Sequence, residues 1–554
     1  MSGPDSGVDV VLTSGAIETN DPNGRRVAAV AVRAGRIVAV GTNHEVEALA
    51  GRRTRRIDLA GRTLLPGFQD AHVHPVLAGL GLTRCPLHEL PPTPEAYLAA
   101  IGAYAAANPD RAWIVGEGWY MSAFPGGTPS REDLDRVVPD RPAFIVNRDA
   151  HGAWVNSRAL AIAGITSDTP DPASGRIERD AAGEPSGTLH EGAMDLVRSM
   201  IAAPTQDELI RGIKLAQAYL HGFGITAWQD AWVTPADLDA YRVLAERGGL
   251  TGRVIACQWW ERDRGAEQID EMIELRRTAT VGRLRATTVK IMQDGVAENY
   301  TAAMLEPYLG ADGHPTANRG LSFVDPEQLK GYVTRLDAEG FQVHFHALGD
   351  RGVREALDAI ETARRANGPS DGRHHLAHLQ VVARADLPRF RELGATANIQ
   401  PYWACLDEQM VGLTLPYFTP ERAALQYPFR SLQQAGARLA GGSDWSVSTP
   451  NVLAEVEVAV TRVSPERRST APFLPDESLD LASALAAFTS GTAYVNHLDA
   501  DTGSIEVDKL ADLVVLDRDL FATEPGRIAD VRVLLTMIEG EAVHEDAALE
   551  AGSR

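Results

Sequence analysis

The sequence predicts an α/β protein: a (β/α)8 TIM barrel with a small β-sandwich domain formed from both chain termini and an insertion after barrel strand 1. Three observations predict this fold. Strand and helix patterns alternate from Gly67 to about Asn496, which favours parallel strands covered by helices. Short β-like segments with turn signals fill both ends of the chain. One long interval early in the barrel region fits no single crossover connection.

The two ends of the chain complement each other. From Val8 to about Leu65, the segments VDVVLTSGAIET, VAAVAVRAGRIVAVG and TRRIDLAGRTLLPG alternate like short strands. Near the other end, TGSIEVDKLADLVVLD and DVRVLLTMIEGEAVH each have a strand, turn, strand pattern. Neither end has enough strands to close a core, so we expect residues 1–65 and 498–554 to form one composite β-sandwich domain and residues 66–497 to form the barrel.

The barrel region contains eight candidate core strands. Helical stretches such as DELIRGIKLAQAYLHG and REALDAIETARRA lie between most of them, which fits a (β/α)8 barrel better than a doubly wound sheet. The strands are GFQDAHVH (67–74), GITAWQDA (224–231), RVIACQWW (253–260), TTVKIMQD (287–294), FQVHFHALGD (341–350), HHLAHLQ (374–380), ATANIQP (395–401) and RLAGGSDW (438–445).

The interval of about 76–221 is too long for one crossover. It combines strand-like WIVGEGW and PAFIVNRDAHGAWVN with turn-rich FPGGTPS and ASGRIERDAAGEPSG. We interpret it as an insertion over the active-site mouth, where the βα loops of a barrel lie. A peripheral subdomain or an oligomer contact is the alternative.

Composition excludes several classes of function. Lys+Arg 53 against Asp+Glu 75 gives a net charge of −22, which repels nucleic acid and anionic membranes. No apolar run approaches the roughly 20 residues of a membrane helix, and the start of the chain lacks a signal-peptide pattern. The widely spaced Cys85, Cys257 and Cys405 offer no disulfide framework. We therefore expect a soluble, cytoplasmic protein.

Metal-binding residue types fall at the C-terminal ends of five of the eight predicted strands, where barrels keep catalytic groups. In LLPGFQDAHVHP two histidines are separated by one residue, so in a strand both face the same way. Taken singly, each histidine would more often be a packed core residue; together they favour a metal site. Nitrogen and oxygen ligands suit Zn²⁺, one or two ions, with manganese, iron, cobalt and nickel as alternatives. The candidate residues are His72, His74, Lys290, His346, His378 and Asp444.

Several segments carry a resemblance to a known family. PGFQDAHVH, GSDW, TGSIEVDKLADLVVLD and SLDLASALAAFTSGTAYVN resemble the amidohydrolase superfamily, metal-dependent hydrolases built on a (β/α)8 barrel. GEGWYMSAFPGG, PSGTLHEGAMDLV, VKIMQDG and HFHALGDRGV resemble more narrowly the amidohydrolase 3 subgroup, which includes N-substituted formamide deformylase. The resemblance covers nearly the whole chain.

The resemblance implies roles for the candidate residues. His72 and His74 would bind the more buried metal with Asp444, and His346 and His378 would bind a second one. Because an ammonium group cannot bind a cation, Lys290 in VKIMQDG would be carboxylated by CO2 and bridge the two metals, as in related enzymes. The alternative is an unmodified lysine beside a mononuclear site.

The implied mechanism is attack by a metal-activated hydroxide, since a divalent metal lowers the pKa of bound water to about 7. Asp444 would also act as the general acid/base. His151, in RDAHGAWVNS, would hydrogen-bond the substrate carbonyl or its oxyanion; a structural histidine capping a loop is the alternative. His344 is a possible extra ligand or oxyanion partner, although a supporting or packing role is favoured because the family match falls on His346.

The sequence indicates the substrate pocket less clearly than it indicates the metal site. Several of nine aromatic candidates must pack in the core, since alternate strand positions face opposite ways. Those near predicted strand ends are Trp228, Trp259, Trp260, Tyr402, Trp403 and Trp445, and those in the insertion are Trp119, Tyr120 and Trp154. From these, Trp228, Tyr402 and Trp445 are predicted, with His151, to bind substrate. An aromatic mouth would favour a small molecule with an apolar or aromatic group.

We therefore predict a metal-dependent hydrolase that acts on a non-peptide C–N bond, with a linear amide such as an N-substituted formamide favoured. A cyclic amide, an ester or a deaminable ring would fit the same metal site, because loops choose the leaving group. The alternative from a different functional class is a non-catalytic scaffold protein. That alternative predicts that some of the metal-binding residues are missing. A homo-oligomer would be ordinary for such a barrel.

Overall fold

Eight parallel strands form the largest sheet in the computed structural model, which describes residues 7–21, 23–88 and 90–551. Neighbouring strands in the chain are neighbours in this sheet. The backbone N–H of Asp444 donates to the carbonyl of His72 at 2.7 Å, which joins the end of the last strand to the first. The predicted (β/α)8 barrel is confirmed, and every predicted strand overlaps an observed one. We number them β1 to β8: Phe68–Val73, Ile225–Val233, Arg253–Trp259, Leu284–Met292, Gln342–Ala347, His375–His378, Thr396–Ile399 and Arg438–Gly441.

Helices cover the outside of the barrel. Each of the first two begins with a capping box, from Thr205 and Glu208 and from Thr234 and Asp237. On the first of them Leu209, Ile213, Ala216 and Leu220 are buried on one face, as expected for an amphipathic helix packed on a sheet. We number them α1, which precedes β2, to α8, which follows β8: Gln206–Gly222, Pro235–Glu246, Gln268–Ala279, Pro326–Ala338, Asp350–Asn367, Leu387–Leu393, Phe429–Gln434 and Val452–Thr461.

Strands from both chain ends pair in one sheet, which in the described residues has six strands: Ala16–Glu18, Arg26–Val27, Thr63–Pro66, Leu513–Leu516, Val533–Ile538 and Glu541–Glu545. A second sheet contains Val8–Thr13, Ala29–Arg33, Arg36–Gly41 and Ala50–Asp58. Both sheets contribute to one apolar core that includes Leu12, Val30, Leu64, Leu513 and Leu535. The predicted sandwich of both termini is thus present. Its exact boundaries stay predictions, and residues 1–6 and 552–554 lie outside the described chain.

A third sheet lies between β1 and α1, within the predicted insertion. In the described residues its strands are Cys85–Pro86, Ile114–Trp119, Ala143–Asn147, Gly152–Val155, Gly175–Arg179 and Pro185–Glu191. Helices Pro94–Ala107, Arg131–Val137 and Ser157–Ala163 accompany it. The insertion touches the barrel where Arg148 Nε donates to the Val447 carbonyl at 2.9 Å. Helix α1 falls inside the predicted range of about 76–221 but packs on α2 and β2 of the barrel.

The remaining α-helices of the described chain are short: Asn43–Glu47, Pro75–Gly81, Asp195–Arg198, Pro420–Ala423, Leu481–Ala486, Thr492–Val495 and Ala548–Ala551. Among all described residues, no helix combines the length and the apolar character that a membrane span needs. Cys85, Cys257 and Cys405 are buried as free thiols.

Candidate active site

A cavity of about 420 Å³ opens at the C-terminal ends of the barrel strands. Its walls come from the barrel and from the predicted insertion. The predicted metal-site residues all line it, together with His151: His72, His74, Lys290, His346, His378 and Asp444. These residues come from parts of the chain that are hundreds of positions apart, and the barrel brings them together.

His72, His74 and Asp444 meet on one wall of the cavity. Their ligand atoms lie within 4.8 Å of one another. Asp444 Oδ1 is 3.3 Å from His72 Nε2 and 3.1 Å from His74 Nε2. Asp70 ties the two segments together, because its Oδ1 accepts from the backbone N–H groups of His72 and Ser443, each at 3.0 Å. This arrangement can hold one divalent cation.

The backbone next to Asp444 allows a close approach of two segments. A Cβ atom at Gly442 would lie 2.7 Å from the backbone nitrogen of His72, so this position requires glycine. Asp444 has φ 56° and His378 has φ 78°, in the left-handed region that non-glycine residues rarely adopt. Such conformations cost free energy and cluster at functional sites, which favours a functional role for this wall.

His346 and His378 lie beside these residues. Their ring centroids are 4.5 Å apart, and His378 Nδ1 is 3.8 Å from Asp444 Oδ2. His346 Nδ1 lies 3.3 Å from Asp294 Oδ1, which leaves Nε2 as the ring nitrogen that can bind a metal. Burial raises the pKa of Asp294 to about 7, although hydrogen bonds oppose the shift. Those bonds come from the backbone N–H groups of Ala303, Leu348 and Gly349.

Lys290 is buried between the two groups of histidines. Its Nζ lies 3.4 Å from His72 Nδ1. Burial lowers the pKa of Lys290 to about 7, and the nearby Asp444 and Cys257 oppose this shift only in part. A large share of the side chain is therefore an uncharged amine near neutral pH. The carboxylation of this amine stays a prediction.

His151 reaches the cavity from the insertion and is held by a carboxylate. Its Nδ1 lies 2.9 Å from Glu191 Oε2, while Glu191 Oε1 accepts from Thr301 Oγ1 at 2.7 Å. Burial alone would lower the pKa of His151, but the charge and hydrogen bond of Glu191, with Asp149, raise it to about 9. Burial would raise the pKa of Glu191, but the charge and hydrogen bond of His151 lower it to about 2. The ring of His151 stands 5.5 Å from that of His346, so a protonated donor faces the candidate metal site.

The three predicted aromatic substrate contacts, Trp228, Tyr402 and Trp445, do not line the cavity, and their predicted place in its wall was wrong. Their side chains contact other parts of the protein: Trp228 packs on His221 with ring centroids 6.1 Å apart, Trp445 stacks on Tyr219 at 5.0 Å, and the Tyr402 hydroxyl donates to Glu466 at 3.1 Å. Trp228 points outward because strand neighbours alternate, and Gln229 takes the inward position.

Other aromatic residues form the wall instead. Trp232 and Trp259 stack with ring centroids 4.7 Å apart and an interplanar angle of 22°, and both line the cavity with Trp260 and Trp403. The guanidinium carbon of Arg198 lies 5.8 Å from the Trp232 ring. The expected aromatic mouth is therefore present: Trp259, Trp260 and Trp403 were among the nine aromatic candidates, and Trp232 was not.

Glu191, Asp294 and Trp232 are site residues that the sequence analysis did not single out. Two of these residues lie in sequence segments that could have indicated them. Asp294 lies in VKIMQDG and Glu191 in PSGTLHEGAMDLV, both segments that carry the family resemblance. No comparable signal marked Trp232.

The residues present fit a divalent metal. One ligand atom from each of His72, His74 and Asp444 lies within 4.8 Å of the other two, and His72 and Asp444 are buried. Imidazole nitrogens and a carboxylate are ligands that zinc and similar cations accept. The donor set therefore suits such an ion at His72, His74 and Asp444.

Comparisons with known proteins identify the family of the chain and several relatives. The model of the Amidohydrolase family matches residues 55–544. Protein LONG AFTER FAR-RED 3 of Arabidopsis thaliana is 30% identical over 557 residues, which cover 98% of this chain and 93% of the relative. N-substituted formamide deformylase of Arthrobacter pascens is 28% identical over 541 residues, with 96% and 97% covered. An uncharacterized metal-dependent hydrolase from Pyrococcus furiosus superimposes with a TM-score of 0.71 at 25% identity, over 92% of this chain and 99% of that one.

Proposed function

Since the chain belongs to the Amidohydrolase family, we propose that it is a metal-dependent hydrolase that cleaves a non-peptide C–N bond, with a linear amide such as an N-substituted formamide as substrate. The main support is the meeting of His72, His74 and Asp444 ligand atoms within 4.8 Å on a cavity that His346, His378 and Lys290 also line. The similarity to N-substituted formamide deformylase supports the choice of substrate.

The residues divide the chemistry as follows. His72, His74, His346 and His378 would hold divalent ions, zinc in the first place, through ring nitrogens. Such ions would supply a water of lowered pKa and polarise the substrate carbonyl. Asp444 takes a proton from the water as its oxygen adds to the carbonyl carbon, and gives that proton to the nitrogen as the C–N bond breaks. The products are a carboxylic acid and an amine.

Lys290 supplies a bridging ligand in this proposal after carboxylation by CO2. The uncharged amine is the form that adds CO2, and burial favours that form. The likeness of VKIMQDG to the family segment adds support. Addition of CO2 to the neutral amine forms an N–C bond and releases one proton, and the resulting carbamate would place a negative charge near the two metal-binding groups.

Trp232 and Trp259 would receive the substituent on the nitrogen. Their stacked rings are flat and apolar, and burial of aromatic surface against them stabilises binding. A small molecule with an aromatic or aliphatic N-substituent is therefore the proposed ligand class, rather than a nucleic acid or a membrane.

The test of this function compares the hydrolysis rates of several substrates that carry the same aromatic substituent. Zinc-loaded protein should release formate and amine from an aromatic N-substituted formamide faster than it hydrolyses the corresponding ester or cyclic amide or deaminates a ring. Protein stripped by a chelator serves as the control. Preference for the ester, cyclic amide or ring would replace the proposed substrate, and no turnover of any of them with metal bound would favour a scaffold.

His151 is proposed to donate a hydrogen bond from Nε2 to the substrate carbonyl as negative charge develops there. His151→Phe should lower kcat by about 10²-fold, the usual cost of one oxyanion donor, with metal content unchanged. Glu191→Gln should produce a smaller fall, because the ring keeps its place but loses its charged partner. Steady-state kinetics with elemental analysis measure both effects. A kcat equal to that of the wild type in His151→Phe would refute the role.

A further inference from the structure

His344 lies directly beneath the candidate metal site but does not line the cavity. It is fully buried, and the proposed chemistry does not use it. Its Nε2 is 2.8 Å from His72 Nδ1, and its Nδ1 is 3.1 Å from Gln229 Oε1. The direction of these hydrogen bonds decides which nitrogen of His72 carries a proton, and hence whether His72 Nε2 has a free lone pair for a metal.

The direction can be worked out from the backbone. Gln342 Nε2 lies 2.8 Å from the carbonyl oxygens of both Arg373 and Val495. Because a carbonyl oxygen can only accept, the amide nitrogen of Gln342 must point there. Its Oε1 therefore accepts from Thr288 Oγ1 at 2.8 Å and from Gln229 Nε2 at 3.0 Å. This fixes the orientation of the Gln229 amide.

Gln229 Oε1 consequently faces its other neighbours as an acceptor. His344 Nδ1 must donate to it at 3.1 Å, because two lone pairs would otherwise face each other. The weaker thiol donor of Cys257, 3.2 Å from the same oxygen, has the Ile255 carbonyl at 3.9 Å as another acceptor. A neutral imidazole has a single N–H, so His344 Nε2 is left as an acceptor. His72 Nδ1 then donates its proton to His344 Nε2, and His72 Nε2 keeps its lone pair on the side of Asp444.

A second backbone anchor gives the same answer independently. Asn398 Nδ2 donates to the carbonyl of Ala71 at 2.8 Å and lies 3.1 Å from His375 Nδ1. His375 Nδ1 is therefore an acceptor, so His375 carries its proton on Nε2. That nitrogen lies 3.2 Å from Gln229 Oε1, which again makes the oxygen an acceptor. Two chains of hydrogen bonds that end on different backbone carbonyls thus both make Gln229 Oε1 an acceptor.

We propose that Gln342, Gln229 and His344 form a positioning relay that holds His72 in the tautomer whose Nε2 can bind a metal. The inference rests on the proposed metal-dependent function.

The test compares three variants in metal-free protein titrated with zinc against a competing chelator. His344→Phe should weaken zinc binding about 10- to 100-fold, as loss of a hydrogen-bond partner of a metal-binding histidine usually does. His344→Gln, which keeps an acceptor near His72, should recover most of the affinity. His221→Phe is the matched control, because this buried histidine bonds the Ile225 carbonyl away from the cavity; it should bind zinc like the wild type.

A second readout needs no metal at all. Ring-15N histidine labelling of the metal-free protein, with the His72 signals assigned through His72→Gln, should show Nδ1 protonated and Nε2 unprotonated. In His344→Phe the two tautomers should mix. If that variant does not fold, Gln229→Met provides the comparison, with a smaller loss of zinc affinity and a similar mixing.

Two results would overturn the relay. One is wild-type zinc affinity in every relay variant that folds, and the other is an unprotonated His72 Nδ1 in the metal-free wild type. A wild-type protein that binds no zinc or other divalent metal would instead refute the proposed function, so the two failures are distinguishable.

Discussion

Asp444→Asn is expected to lower the rate of amide hydrolysis by about 10⁴-fold, the upper range for loss of a general acid–base group. The carboxylate lies 3.3 Å from His72, 3.1 Å from His74 and 3.8 Å from His378. Burial would raise the pKa of Asp444, but the histidines and Lys290 lower it below the usual aspartate value, which keeps the group charged. Asparagine keeps the shape and loses both the charge and the ability to take a proton.

The measurement is kcat/KM on the best amide, with thermal unfolding to show that the fold survives. Asp230→Asn is the matched control. This aspartate is also fully buried on the barrel, but it accepts from the Tyr241 hydroxyl at 2.8 Å, on the helix side of β2. It should leave the rate unchanged. An Asp444→Asn protein with full activity would exclude the acid–base role.

Lys290→Met is expected to remove the bridging ligand and to lower hydrolysis by about 100-fold or more, the upper range for loss of a group that supports a metal site. Methionine has a similar length and is apolar, so it fills the buried space without reacting with CO2. Metal bound at His346 and His378 should be lost first, because that pair lacks the Asp444 carboxylate at close range.

Carboxylation can be observed directly. Wild-type protein equilibrated with 13C-bicarbonate should give a carbamate signal in its 13C NMR spectrum, and Lys290→Met should lack it. Lys214→Met, on the exposed face of α1, controls for nonspecific carbamates. A wild type without the signal, together with unchanged metal content in Lys290→Met, would leave the lysine unmodified beside a mononuclear site.

The barrel and its ligands could be predicted because their signals are local and repeated. Each predicted strand is a short apolar run followed by a helical pattern, and each ligand stands at the end of such a run, as His72 does in β1 and His346 does in β5. In a parallel barrel all these ends share one face. Five separate segments are therefore expected to converge without any knowledge of tertiary contacts.

The aromatic wall could be predicted only in part. Trp259, Trp260 and Trp403 stand near predicted strand ends, whereas the place of Trp232 depends on irregularities in strand pairing. The register of β2 shifts against β1 between Trp228 and Asp230, and against β3 between Asp230 and Val233. A β-bulge changes which side chains face inward, and nothing in GITAWQDA marks it. Trp232 reaches the cavity beyond the predicted strand, while Trp228 turns to the helices.

The contact between His151 and Glu191 could not be predicted from the sequence for a different reason. Glu191 is 40 residues away in the chain, and the two meet only because Gly152–Val155 pairs antiparallel with Pro185–Glu191 in the insertion. The hydrogen-bond relay under His72 has the same origin, since Gln229 lies on β2 while Gln342 and His344 lie on β5. Pairing over such distances is a property of the fold rather than of any segment.

The most direct test of the central claim is the metal content of the purified wild-type protein, measured by elemental mass spectrometry. The proposed site predicts about two divalent ions per chain, held by four histidines, Asp444 and carboxylated Lys290. A content of one ion per chain would be consistent with a metal-dependent hydrolase but would exclude the bridging role of Lys290. No bound metal, even after reloading with zinc, manganese, iron, cobalt and nickel, would contradict the account.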